Sequence, residues 1–599
     1  MTWMTSSRQG ALVFWVLGCL TLALRAPGAV LHVTPEGDDA AEGTAAKPFR
    51  TAVRARDVLR SLSTEQRAGS TVLMHAGDYE LTATLELGPE DGGTPDRPVR
   101  YCAEGSVCLI GGERLRPEHI TAVTDETLRQ RLPETARSRV LQLDLGHLKN
   151  AGKLGELPDL WRDPPGLSEF SWNGQMLHYA RWPNRDWTTV TEVISETPPV
   201  IRFSGDRPLR WSVTAGVWLH GYWFYEWIDE TVRVVRIDPG SRQIELAVRP
   251  PYRGMGADKG CLRRFRAINV LEELDEPGEV WFDPSGGLAV LWPPDTAEDP
   301  RLVVSTLVEP IVKLADCSHV ELRGFVVESG RNDGIVIAGG ANNSVLDCEV
   351  RNVGGVGIRV TGANHTIRSC HVHHTGATGV DLDGGNRIEL AASGNVVENC
   401  DIHHPGRIKQ TYSPCIQLSG CGQTARHNRV HDGPHIGIAF KGNNHLIELN
   451  EVDHVCTDSG DVAAIYSANS PGYRGTVIRH NFIHHIPLKV RYGATGVYLD
   501  NALCGNVVSG NVFFRACDGS GKASTFAAVY IHHGYQNLVE NNIFVDCGRA
   551  VGASLFHDAK WDSYKAGVLK RLDPEGRRGL ATEKWLETYR EQPKPGYGM

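Results

Sequence analysis

Eight short segments in the second half of the chain can be laid over one another: VLDCEV, IRSCHV, VENCDI, ARHNRV, IELNEV, IRHNFI, VSGNVF and VENNIF, centred on Cys348, Cys370, Cys400, Asn428, Asn450, Asn481, Asn511 and Asn542. Successive centres lie as little as 22 residues apart, and apolar residues alternate around each one. A unit of that size cannot bury its own apolar face, but a stack of such units can. The period and the strand-type alternation therefore predict a parallel β-helix with rungs about 4.8 Å apart. The central column fits, because an inward Asn stacked on another Asn passes amide hydrogen bonds along the stack. Cys348, Cys370 and Cys400 occupy the same position and read as small buried residues rather than a zinc site.

A second strand in each rung starts at Ile335, Ile358, Val380, Ile416, Ile438, Ile465, Val497 and Val529, usually after Gly or Ala. Three residues on, the column reads Ala338, Thr361, Asp383, Ser419, Lys441, Ala468, Asp500 and His532. Stacking alone gives no reason for a column to change from small to ionisable residues toward its C-terminal end. Function is expected there.

The expected architecture is all-β: a right-handed parallel β-helix with an inserted β-rich domain and short capping helices. Residues 1–29 read as a signal peptide, with Arg8 before an apolar run from Ala11 to Leu24 that is short for a bilayer span. Residues 30–115 read as an N-terminal cap and first rungs, the cap being an amphipathic helix in KPFRTAVRARDVLRSL (47–62). The rung pattern stops over 116–304, taken as the insertion, and resumes over 305–555; residues 556–599 read as a helical tail. Cys102 and Cys108 are close enough in sequence to bridge across a hairpin, and the other cysteines are scattered.

With 62 basic and 71 acidic residues the formal charge is −9, and no basic tract is present. Nucleic acid and a polybasic membrane anchor are poor partners for such a chain. The expected protein is a secreted or periplasmic monomer, without a membrane span beyond the leader, acting on an uncharged or weakly charged polymer.

Several stretches together resemble glycoside hydrolase family 141: KPFRTAVRARDVLR, NGQMLHYARWPNRDW (173–187), GYWFYEWIDE (221–230), LEELDEPGEVWFD (271–283), DVAAIYS (461–467) and GVYLDNALCG (496–505). The resemblance covers most of residues 45–550. It implies a secreted β-helix glycosidase of α-L-fucosidase or xylanase type acting on plant-type polysaccharide, with a pair of catalytic aspartates. The positions matching its Asp-x-Gly-Ala-x-Tyr and Tyr-Leu-Asp motifs are Asp461 and Asp500. Two positions depart from it: Ala463 stands where Gly is expected, and Asn501 where a second Asp commonly follows.

Glycoside hydrolysis needs one carboxyl group to protonate the leaving oxygen and another to act as base or nucleophile. Asp461 precedes its strand start by four residues and Asp500 follows its own by three, an offset of roughly 23 Å along a straight strand. The pair therefore requires the chain before Ile465 to bend back, and Asp458 is the alternative partner. Candidate substrate contacts are Asp383 and Lys441 in the Asp500 column, Tyr466 and Tyr498 at matching places on adjacent rungs, and His532 and His533 one rung beyond. Trp182, Trp187, Tyr222, Trp223 and Trp227 offer sugar-stacking faces, with core packing their commoner use. No organic cofactor is expected and no metal is assigned: His-His pairs recur at 373, 403 and 484 at one phase, as a surface preference would produce. The turns RNDG and DLDGGN lack EF-hand spacing. Two other functions fit the fold, a polysaccharide lyase using a base such as Lys441 and a non-catalytic carbohydrate-binding solenoid.

Overall fold

The computed structural model describes residues 28–554 except 151, 153, 155–156, 257–260, 298–299, 487–492 and 518–525. The leader read in 1–29, apart from Gly28 and Ala29, and the tail read in 556–599 lie outside the described residues.

The repeats form a right-handed parallel β-helix with three strands per turn. Two strands of each turn, such as Ser344–Leu346 and Glu349–Arg351, belong to a 20-stranded sheet; the third, such as Ile335–Ala338, belongs to an 11-stranded sheet. In the smaller sheet the register runs through Val312, Ile335, Ile358, Val380, Ile416, Ile438, Ile465, Val497, Val529 and Val551, so every strand start read from the sequence stacks on the next. Each of these residues points inward and is buried, except Val551 on the last described rung, which is exposed. The second residue after each start points inward too, as in Ile335 with Ile337, Val380 with Leu382 and Val497 with Leu499, all buried. Strand alternation then aims the third residue after the start outward.

Inside the solenoid, the Asn450 side-chain oxygen accepts from both the backbone and the side-chain amide of Asn428 at 3.0 Å, and the pattern repeats through Asn481, Asn511 and Asn542. Cys400 N–H donates to Asn428 at 3.0 Å, joining the thiols to the ladder. The thiols of Cys348, Cys370 and Cys400 donate to the carbonyls of Leu346, Arg368 and Glu398 at 3.2–3.4 Å, a structural role that needs no metal. Five residues earlier runs a second buried polar column that sequence reading did not separate: Asn343, His365, Asn395, Gln423, His445, Thr476, Asn506 and Asn537. Many of its members accept a backbone N–H from the preceding rung.

The capping helix is shorter than the segment read for it, spanning Ala52–Arg60 after an N-cap at Thr51, whose side chain accepts from Arg54 N–H. Its buried face, Ala52, Ala55 and Leu59, packs on the first rung. Strands Thr71–Glu80 and Val99–Ile110 are the early rungs, and Val99–Ile110 pairs directly with Val320–Glu328. Neighbouring rungs are thus separated by some two hundred residues of chain, which pair mostly antiparallel, beginning with Gly112–Arg114 against Leu302–Ser305. Cys102 and Cys108 are not the two arms of a hairpin. They lie on one strand, Val99–Ile110, with a bulge between them, and both are free thiols.

Candidate active site

Two adjacent rungs near the C-terminal end of the 11-stranded sheet pair on both sides of a skipped position. Strand Val462–Ser467 pairs with Ala494–Leu499 at Val462–Ala494 and Ala463–Thr495, skips Ala464 and Gly496, and resumes at Ile465–Val497. That skipped position is the corner of the rung. A Cβ on Gly496 would lie 2.7 Å from the Phe513 ring and 2.8 Å from the Ala528 carbonyl, so the corner closes only around glycine. Asp461 stands on the arm before the corner with φ 58°, in the left-handed region, which breaks the strand alternation at its own position.

The corner resolves the offset between the two aspartates. On a straight strand Asp461 would sit about 16 Å from the position opposite Tyr498. Instead the Tyr498 hydroxyl donates to Asp461 Oδ1 at 3.3 Å. Tyr466, on the Asp461 strand and opposite Tyr498 in register, donates to Asp500 Oδ2 at 2.9 Å. Each tyrosine thus bonds the other strand's carboxylate, with the two rings edge to face at 5.4 Å. Asp500 is only 4% exposed and accepts two further hydrogen bonds, from Asn501 Nδ2 at 3.0 Å and from His532 Nδ1 at 2.7 Å. The residue that departs from the family pattern, Asn501, therefore brings a donor where a second carboxylate would have repelled Asp500.

The two carboxyl groups differ in environment. Burial pushes Asp461 up to about 6, the nearby charge of Asp500 adds to the rise, and the Tyr498 hydrogen bond and His532 oppose it. The Tyr466 and Tyr498 phenols are held protonated, by burial first and then by the carboxylates, so both remain donors. Tyr412 stands at the exposed rim with φ 54° and feels both aspartates.

Two clamps from the antiparallel region fix the surrounding loops. Arg264 bonds Asp458 Oδ1 at 2.9 Å and Glu226 Oε2 at 2.8 Å; Trp187 Nε1 and the Tyr222 hydroxyl donate to Asp458 at 3.0 and 3.3 Å. Its guanidinium also lies over the rings of Tyr222 and Trp187, 4.0 and 4.6 Å from their centroids. Asp458, the alternative partner for Asp500, is thereby an anchor that holds the turn leading into Asp461. The second clamp is Asp229, which takes His220 Nε2 at 2.9 Å and the N–H groups of Thr411 and Gln410 at 2.9 and 3.1 Å, seating the loop that presents Tyr412. Burial alone would raise the Asp229 pKa, but hydrogen bonds from His220 and Thr411 hold it well below the usual range. Sequence reading missed Glu226, Asp229 and Arg264. The signal was present in GYWFYEWIDE, where acidic residues interrupt an aromatic run with no local reason to do so.

The remaining candidates are distributed unevenly. His532 touches Asp500, whereas His533 is buried behind it with its ring 3.8 Å from that of His532. Lys441 is exposed and two rungs from Asp500, about 10 Å away; Asp383 is exposed and four rungs away, about 19 Å. The column is real, but it does not bring those two to the carboxylates. Among the aromatic residues, Tyr222 and Trp223 are core, Trp187 packs on Arg264, and Trp227 stacks on Tyr225 at 3.8 Å. A cavity of about 440 Å³ in the antiparallel region, lined by Trp182, Arg207 and Asp275 among others, shares no residue with this site.

The family model described as a right handed beta helix region matches residues 311–411 and 414–561. The chain has a right-handed parallel β-helix fold. A solved structure described as a glycoside hydrolase aligns with a TM-score of 0.64 at 13% identity, covering 87% of this chain and 96% of that one. Two weaker likenesses are to XylC in complex with xylose (TM-score 0.42, 11% identity, 86% of each chain) and to a rhamnogalacturonan lyase (0.38, 12% identity, 86% of this chain and 87% of that one). Curated proteins give no match to the sequence.

Proposed function

We propose that this protein is a secreted glycoside hydrolase, of the kind family 141 describes, in which Asp461 and Asp500 carry the reaction on a plant-type polysaccharide. The observation that carries the proposal is the crossed arrangement at the rung corner. Two carboxyl groups on adjacent rungs are each hydrogen-bonded by the tyrosine of the other rung, and burial with the nearby Asp500 charge sets Asp461 apart by raising its pKa. Paired carboxyls separated in this way are the working parts of glycosidic bond hydrolysis.

Asp461, protonated in mildly acidic solution, serves as general acid and delivers its proton to the leaving glycosidic oxygen. Asp500, which receives three hydrogen bonds, serves as the base or nucleophile. Tyr466 and His532 fix its orientation, and Tyr498 fixes that of Asp461. A sugar ring seated over the corner meets the rim tyrosine Tyr412.

The test is digestion of pectic polysaccharide and xylan, with reducing sugar and the ultraviolet absorbance of unsaturated product recorded together. Reducing sugar without absorbance supports the hydrolase; both together would indicate a lyase, and neither a binding solenoid. Asp500→Asn is expected to abolish product while leaving the fold intact, and full activity in that variant would overturn the assignment.

A further inference from the structure

We infer a second site: His371, His373 and His403 form a pocket for one divalent transition-metal ion of borderline softness, zinc being the type case, on the outer face of the 20-stranded sheet. The carboxylate pair lies on the other sheet. Nothing in this inference depends on the hydrolase reading.

His371 and His373 are two residues apart on one strand, so their side chains leave the same face. The next rung, Asp401–His403, pairs in register and sets His403 beside His373. The Nε2 atoms of His371 and His403 are 2.8 Å apart, and the ring centroids of His371 and His373 are 4.1 Å apart. One nitrogen from each of the three rings lies within 4.8 Å of the others. Tetrahedral zinc with bonds of about 2.0–2.1 Å separates its nitrogen ligands by about 3.3 Å. The His371–His403 pair has only to open by about half an ångström, with His373 leaning in, to meet that geometry.

The rear nitrogens support the assignment. Nδ1 of His373 is 2.7 Å from Nδ1 of His374, and Nδ1 of His403 is 2.6 Å from Nδ1 of His404. A proton held there on His403 Nδ1 leaves its Nε2 as a lone pair facing the pocket, the tautomer that metal-binding histidines adopt when their other nitrogen is hydrogen-bonded, and His373, whose Nε2 donates to Glu349 in the free protein, reaches the same state by moving that proton to Nδ1. His374 and His404 are placed for this by left-handed backbone, φ 52° and 50°, and their rings stack at 4.8 Å. Glu349, one rung earlier, accepts from His373 Nε2 at 3.1 Å and supplies a carboxylate at the rim; Arg351 is paired with Glu349 and Glu328.

The recurring His-His pairs read from the sequence do not by themselves make a site. The third histidine distinguishes this rung: the column two residues before His373 holds His371 here, but Asp401, Arg429, Glu451 and Phe482 on the following rungs. His431, which stacks next on His403, has both nitrogens engaged by carboxylates, Asp401 at 2.9 Å and Asp432 at 2.7 Å. The all-nitrogen set therefore lies between the first two rungs of the stripe, whereas the neighbouring sets Asp401, His403, His431 and Glu451, Asp453, His484 bring carboxylates in place of imidazoles.

The experiment uses the full chain, stripped with a chelator, desalted, and titrated with Co²⁺ while the intense visible bands of four-coordinate cobalt are followed, then with Zn²⁺ in competition. One equivalent is expected to bind, with at least a ten-fold loss of affinity in His371→Ala and in His403→Ala and no change in His484→Ala. Circular dichroism and melting check that each variant is folded, and His371→Gln replaces the alanine variant if it is not. Asp500→Asn is expected to bind the metal as the wild type does, so this result is independent of the glycosidase assay. Failure of the wild type to bind one equivalent, unchanged affinity in the folded His403→Ala protein, or an equal loss in His484→Ala would each overturn the site.

Discussion

Replacing Asp461 with Asn should make the protein more stable in neutral and alkaline solution while removing its activity. The folded chain holds the Asp461 carboxyl at about 6 against an ordinary value of 3.8, through burial and the adjacent Asp500 charge. An acid whose pKa rises on folding binds its proton more tightly in the native state, so its contribution to stability falls as pH climbs from about 4 to about 6 and stays lost above that. A shift of this size corresponds to up to about 3 kcal/mol. Asn carries no charge and keeps an oxygen to accept from Tyr498. The variant should therefore recover most of that energy at pH 8 and only about 0.5 kcal/mol at pH 4, where the folded carboxyl is protonated and the unfolded one about half ionised. Spread over roughly 500 ordered residues, 3 kcal/mol amounts to about 2–3 °C in Tm. Paired melting curves at pH 4 and pH 8, read with polysaccharide digestion, give the answer. A gain of the same size at both pH values, or a loss at pH 8, would show that electrostatic strain at Asp461 is not what the site stores.

The rate should follow the same group. If Asp461 is the acid, kcat/KM falls on the alkaline side with a midpoint near pH 6, and Tyr498→Phe, which deletes a hydrogen bond that lowers the Asp461 pKa, moves that midpoint upward. Arg264→Ala strips the partner from buried Glu226 and from Asp458; a cost of about 3–5 kcal/mol is expected by denaturant unfolding, along with lost activity as the turn before Asp461 comes free. Asn481→Ala leaves the Asn450 backbone and side-chain amides without their acceptor inside the solenoid, a loss of at least about 2 kcal/mol measurable in the same way.

Much of the solenoid was legible because a β-helix is locally periodic. Each rung meets only its neighbours, so strand starts, the inward Asn and Cys ladder and the outward column appear as repeated spacings along the chain. The second polar column at Asn343 through Asn537 was equally periodic, but its mixture of Asn, His, Gln and Thr hid a shared role that is set by position rather than residue type. The hairpin read between Cys102 and Cys108 failed for a related reason: a six-residue spacing fits a turn or a bulged strand equally well, and pairing with Val320–Glu328, more than two hundred residues away, chose the strand.

By itself the sequence determined the architecture, the register of the rungs and the identity of Asp461 and Asp500 as the residues to watch. Only the tertiary structure brought each aspartate to the tyrosine of the other's rung. That arrangement rests on a backbone corner at Ala464 and Gly496, on a left-handed Asp461, and on Arg264 and Asp229 reaching across from a part of the chain far away in sequence. Repeat spacing encodes contacts between neighbouring rungs, whereas a corner and a clamp depend on which distant segment packs against the rung, and no local periodicity carries that information.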